Sequence, residues 1–394
     1  MASSIGLLSD GSASLQLAEA TKEEIESIIL ANSQAFQGAL SVEAYTRREA
    51  YLLDQDLTRN GGLTYWALVQ GQGPTRKVLA SCETLRKHAL VYQDGRVEQV
   101  TCHGVASVFC PPENRGQGYA GTMINLLGEC LRDWQTESSG KQCLFSILYS
   151  DIGKKFYAAH GWQPFPSAHV SLPPWPASCS SRSTLPPVQP LFINDIPSLC
   201  EADERLVHDR VVRAGVTGRL AVALVPDSQT VTWHFARERF VGNELYGKSP
   251  ECHGVLVQTD AGHRVWCYWA RQWYNNDPND PKGNTMHIIR LVVDDADYDD
   301  TEAANDEGVD SAKDTEIVSA IASLLTAAQA EASQWNIGEV EIWNPTSVTL
   351  AACRTIDPSV KVSHRDEESI ASLRWYGESA QNVQWLANEK FGWC

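Results

Sequence analysis

No Cys-x-x-Cys pair occurs in this 394-residue chain, although eleven cysteines do. They stand at 82, 102, 110, 130, 143, 179, 200, 252, 267, 353 and 394, odd in number and irregularly spaced, which argues against both a zinc ribbon and a disulfide framework. Reduced, mostly buried thiols are expected, and no bound metal. No apolar run approaches the roughly 18 residues that a membrane span needs, and the N-terminus, MASSIGLLSDGS, lacks a basic region followed by a long apolar stretch. The expectation is a soluble, cytoplasmic protein without a membrane partner. Positive charge is scarce as well: 32 Lys and Arg against 49 Asp and Glu leave a net charge of −17. That balance repels nucleic acid phosphates and suits cationic substrates. The charge is uneven, however, because residues 294–316 hold eleven carboxylates and one base, Lys313, and read as a solvated acidic loop.

Two common nucleotide loops occur only as letters, out of their working context. Gly116 to Gly121 spells Gly-x-Gly-x-x-Gly but no acid stands about 20 residues on at the end of a second parallel strand, and Gly247-Lys248-Ser249 follows a helix-like stretch rather than a strand. What stands at 105–120 instead is VASVFCPPENRGQGYA, a β-branched run, a proline brake and the turn Arg115-Gly116-Gln117-Gly118-Tyr119-Ala120, opening into a helical pattern. A strand that ends in a glycine-rich turn before a helix aims backbone N–H groups and the positive helix end at one point, which favours a pyrophosphate. Gly116 and Gly118 lack a Cβ, so phosphate oxygens can approach the main chain there.

This Arg-x-x-Gly-x-Ala segment resembles the acetyl-coenzyme A loop of the GNAT acyltransferases. A second segment, Phe156-Tyr157-Ala158-Ala159-His160-Gly161-Trp162, resembles that family's Phe-Tyr-x-x-x-Gly-Phe/Trp motif. The two motifs lie in the family's order with a strand between them. The resemblance, closest to the lysine N-acetyltransferase type of yeasts and moulds, implies acetyl-coenzyme A as co-substrate, held at Val108, Cys110 and Arg115 through Ala120. It further implies Tyr157 as the acid that protonates the departing thiolate. A phenol with a pKa of about 10 is suited to that exchange. For the general base the candidates are Glu98, His103 and Glu83; His103 has the most suitable intrinsic pKa and is assigned the role. His160 is read as a packing or surface residue. Backbone N–H groups near Val108 are expected to hold the oxyanion. Tandem members of the enhanced-intracellular-survival type use a terminal carboxylate as base, and a resemblance to them would assign that group to Cys394.

Hydrophobic periodicity predicts strands at 14–20, 64–70, 78–92, 98–110, 144–149 and 162–172, and helices at 25–36 behind a capping box at 21–24, at 42–53, at 119–135 and at 152–160. The fold class expected is α/β (α+β), a GNAT fold with a central mixed, mostly antiparallel sheet, followed by a second GNAT-like domain lacking the pyrophosphate loop. Residues 1–175 are read as the catalytic domain, 176–190 as a Pro/Ser-rich linker and 191–394 as the degenerate second domain. In that second half, strands at 254–259, 265–274, 286–293 and 339–343 with a helix at 316–335 repeat the earlier order, and the acidic segment stands where the glycine loop would. Of the aromatics Trp266, Tyr268, Trp269, Trp273 and Tyr274, strand alternation assigns about half to core and half to a pocket. The functional expectation is acetyl transfer to a small-molecule amine, an amino acid, polyamine or secondary metabolite. Its rivals are other acyl-coenzyme A chemistry on the same scaffold and a non-catalytic coenzyme A or amine sensor.

Overall fold

A computed structural model describes residues 5–8, 14–175, 185–277, 279–295, 298, 304, 315–378 and 383–393. The first half runs β1 (Ile5–Leu8), β2 (Leu15–Glu19), α1 (Lys22–Phe36), α2 (Val42–Leu53), β3 (Leu63–Gln70), β4 (Lys77–Gln93), β5 (Arg96–Phe109), α3 (Tyr119–Leu131), α4 (Thr136–Ser139), β6 (Cys143–Ser150), α5 (Lys155–Ala158), β7 (Gln163–Pro164) and β8 (Ala168–Leu172). The second continues with β9 (Gln189–Leu191), α6 (Ile196–Val216), β10 (Leu220–Leu224), α7 (Ser228–Tyr246), β11 (Gly254–Gln258), β12 (Arg264–Gln272), β13 (Thr285–Val293), α8 (Thr315–Ala332), β14 (Glu339–Trp343), α9 (Ser347–Ile356), β15 (Ser363–His364), β16 (Ile370–Trp375) and β17 (Val383–Leu386). Local chemistry sets several of these bounds. Thr21 and Glu24 form a reciprocal capping box at the start of α1, and the Ser41 hydroxyl accepts from the Ala44 N–H to start α2.

The strands make two mixed sheets. In one, β1-β2-β3-β4-β5-β6-β16-β7 lie side by side, with β10 on the far end of the long β4 and β17 beside β10. The other is ordered β15-β8-β14-β13-β12-β11-β9. Pairing is antiparallel apart from β5 with β6, β10 with β17 and β13 with β14. Both sheets therefore match the expected mixed, mostly antiparallel class.

The sheets do not divide where the proline- and serine-rich stretch does. β8, which precedes it, pairs with β14 in the second sheet, and β16, from near the end of the chain, pairs with β6 and β7 in the first. Most of the stretch itself, 176–184, lies outside the described residues, as does most of the acidic segment. The halves also share one continuous core: Ala18, Ile28, Tyr45 and Tyr65 cluster with Val170, Trp269, Ile321 and Ile342. A second core sits on the opposite face of the first sheet, where Met123, Ile124, Leu127 and Leu131 of α3 cover Leu17, Trp66, Leu68 and Leu79. That core holds the glycine turn and the start of α3 in place. Among the described residues no helix is long and apolar enough to cross a membrane.

Candidate active site

The turn after β5 is built as an anion cradle. Gly116 and Gly118 both take positive φ, +76° and +79°, which a side chain would resist. A Cβ added to either would meet nothing within 4 Å, so the space over the turn is open. Gly118 sits at the N-cap of α3 and offers no capping side chain, leaving the first helical N–H groups available. An anionic pyrophosphate fits this combination of open space, unspent donors and helix dipole. Arg115 is tied down beside it, its Nε donating to the Cys110 carbonyl at 3.0 Å and its guanidinium lying over the Phe109 ring.

From the turn, a cavity of about 630 Å³ runs inward, and Val108, Cys110, Arg115 and Ala120 line it. Gly116 through Tyr119 lie outside its walls, toward solvent. The inner wall is made by a break in β5. Register between β4 and β5 slips between Ser81↔Phe109 and Glu83↔Ala106, so Ser107 and Val108 stand opposite one residue, a β-bulge, and Ser107 adopts φ +50°. A non-glycine residue in that region is held there by its surroundings, and such strain gathers at functional sites. The parallel register of β5 with β6 ends at Val105↔Leu148; beyond it, residues 106–110 and Leu148–Tyr149 face the same cavity.

Glu83 on β4 lies beneath the bulge, 6% exposed, and lines the cavity. Burial first, then the carboxylate of Glu49, pushes its pKa up to about 8, while the Ser107 hydroxyl and Arg48 pull it back. Tyr45, Arg48 and Glu49 share one face of α2 and line the same space. Arg48 spans them, paired with Glu49 at 2.6 Å and stacked on Tyr45 at 4.7 Å. Tyr157, on the short α5, also lines the cavity and is 7% exposed. Burial holds its phenol well above the ordinary value, so it stays protonated.

The other candidate bases lie elsewhere. His103 is fully buried on the far side, its Nε2 3.3 Å from the Trp134 carbonyl, and burial lowers its pKa to about 4; it does not line the cavity. The assignment of His103 as base is therefore not supported: its place on β5 turns the ring against the segment following α3, away from the cavity. Glu98 pairs with Arg96 at 2.7 Å near the opposite end of β5. His160 packs as expected, its Nδ1 2.7 Å from the Phe156 carbonyl and its ring against Gly121.

The second half supplies the remaining wall through Trp233 and Arg237 of α7, Tyr274 and Trp393. Of the five aromatics considered from sequence, Trp266, Tyr268, Trp269 and Trp273 are core, and Tyr274 alone reaches the cavity. Trp393 is placed by an anchored tail. The Glu389 carboxylate pairs with Arg290, which Asp203 holds from behind at 2.6 Å, and His234 meets the Phe391 carbonyl at 3.0 Å. Cys394 lies outside the described residues.

Sequence comparison bears directly on this two-lobed arrangement. A family model described as the LYC1 GNAT-like C-terminal domain matches residues 169–394. The chain belongs to the LYC1-like GNAT family. That match begins at β8, the strand that crosses into the second sheet. A protein of Yarrowia lipolytica named lysine acetyltransferase is 24% identical over 269 residues, covering 59% of this chain and 66% of that protein. The uncharacterized protein YGR111W of Saccharomyces cerevisiae is 28% identical over 169 residues, 36% of this chain and 41% of that one. The matched stretches thus span just under two thirds of one curated relative and well under half of the other. In fold, the LYC1-like chain is similar to S. cerevisiae N-myristoyltransferase, solved with bound myristoyl-coenzyme A, at a TM-score of 0.52 and 9% identity, covering 96% of this chain and 86% of that one.

Proposed function

We propose that this protein is an N-acetyltransferase that moves acetyl from acetyl-coenzyme A directly to the primary amine of a small molecule, such as an amino acid, a polyamine or a secondary metabolite. One observation carries the reading: Arg115 and Ala120 at the two ends of the glycine turn, a protonated buried tyrosine and a buried carboxyl all line one cavity. In this scheme Arg115 and the turn at 116–120 bind the coenzyme, and N–H groups at the Ser107–Val108 bulge stabilise the oxyanion. Glu83 replaces His103 as the base; its raised pKa lies near neutral working pH, where a base is most effective. Tyr157 gives its proton to the departing thiolate. The walling of the cavity by Trp233 and Trp393 supports a small acceptor, and the name of the Yarrowia relative supports lysine among the amines to try.

The test is an assay of purified protein with acetyl-coenzyme A against an amine panel, reading free thiol and the acetyl mass gained by the amine. Tyr157→Phe should lower turnover by about 100-fold or more while leaving coenzyme A affinity unchanged. Absence of transfer to any amine by the wild type would support the sensor reading instead. Transfer only from longer acyl donors would support the other acyl-coenzyme A chemistry.

A further inference from the structure

Most buried arginines of this protein are matched by carboxylates. Arg271 meets Glu238 at 2.9 Å and Glu331 at 2.6 Å, Arg290 meets Asp203 at 2.6 Å, and Arg48 meets Glu49 at 2.6 Å. Arg237 is different. It projects from α7 into the cavity, lies over the Trp393 ring with its guanidinium carbon 5.5 Å from the centroid, and has neither ion pair nor hydrogen bond among the described residues. The nearby Arg48 is already neutralised by Glu49.

A partly buried guanidinium without an anion is costly, and its planar fork stays free to take two oxygens of a carboxylate at once. Stacking on an indole leaves those N–H edges exposed and fixes their plane. Burial, followed by the repulsion of Arg48, lowers the Arg237 pKa to about 10, the direction expected where a charge lacks its partner. The same cavity carries Glu83, toward which a reacting ammonium would turn. A molecule with a primary amine at one end and a carboxylate at the other satisfies both charges.

We infer that Arg237 is the specificity-determining residue of the acceptor pocket, gripping a carboxylate carried by the amine substrate and so selecting amino acids over diamines. The inference rests on the N-acetyltransferase reading above. It gives the second half a chemical task, since α7 delivers the group that reads the acceptor's far end.

Lysine and cadaverine differ by one carboxylate and serve as the test pair. Wild type should favour lysine in kcat/KM. Arg237→Ala should lower the lysine value by about 10- to 100-fold, mostly through KM, and should not lower the cadaverine value, because the guanidinium repels that amine's second ammonium. Arg237→Lys should recover part of the loss. Calorimetric binding of 5-aminopentanoate against pentylamine gives a readout independent of turnover, and unchanged coenzyme A affinity certifies that each variant is folded. A lysine-to-cadaverine ratio untouched by Arg237→Ala, or an equal fall on both amines, overturns the inference. Should wild type acetylate no amine, the catalytic reading fails; Arg237-dependent binding of 5-aminopentanoate would still support the carboxylate grip, and its absence would end that too.

Discussion

Glu83 is a carboxyl held neutral by its surroundings until the pH approaches 8, because burial and the Glu49 carboxylate both disfavour its charge. Two consequences follow at this residue. If Glu83 accepts the ammonium proton, kcat/KM rises through a pKa near 8 and then levels, and Glu83→Gln abolishes that limb while lowering turnover about 100-fold or more. Stability moves the opposite way. The folded pKa lies above the unfolded one, so between about 4.5 and 8 the native state keeps a proton that the unfolded chain has lost, and stability falls as pH rises through that window. Glu83→Gln removes this dependence, so the variant should gain about 2–5 kcal/mol over wild type above pH 8 and nothing near pH 4. Denaturant titrations at the two pH values check it; equal stabilities at both would show that Glu83 does not carry the shift. The turn at 115–120 and Tyr157 could be read from the sequence because each stands in a short contiguous motif. Arg237, Trp233, Arg48 and Glu49 could not, since their relation to the site exists only once α2 packs against α7. Their i, i+3 and i+4 spacing was the available signal.

At the level of elements, the tail works as a bracket. Glu389 accepts from the Leu291 N–H at 2.9 Å and pairs with Arg290, Phe391 is wholly buried, and the Lys390 ammonium lies between the rings of Trp343 and Trp393 at 4.3 and 4.2 Å. Glu389→Gln weakens the charge pair but leaves Arg290 held by Asp203, so the expected loss is local, about 1–3 kcal/mol. Amide exchange across 389–393 should accelerate relative to β4 and β5, and acceptor KM should rise with coenzyme A affinity unchanged. Uniform exchange across the chain would refute the bracket. Elements with strong periodicity or caps, such as α1, α2, the β3–β5 meander and β14, are legible from residue pattern. α5 is shorter than its pattern suggests, because Gly153 at φ +75° delays its start. The last strands are not legible: β16, Ile370–Trp375, is held by β6, whose residues lie more than 200 positions earlier, and no local pattern encodes that pairing.

For the whole molecule, exchange of β8 and β16 makes the two halves one folding unit. β16 fills the edge of β6 from Ile370↔Ser150 to Trp375↔Phe145, and Arg374 passes so close over Gly128 that a Cβ there would sit 1.8 Å from its guanidinium. In return, Val170 and Leu172 of β8 are buried among residues of the second half. A fragment of residues 1–175 would thus expose the β6 edge and the apolar residues of β8, both of which invite association with other chains. Expressed alone it should aggregate and show no cooperative melt, whereas 1–175 and 176–394 expressed together should associate and recover coenzyme A binding. The full chain should melt in one transition, because a core shared across both lobes cannot lose either separately. Size-exclusion chromatography and calorimetry decide the matter. A monomeric 1–175 fragment with a sharp melt of its own would mean that the exchanged strands merely decorate two autonomous domains, and that the roof over the acceptor site can open without unfolding.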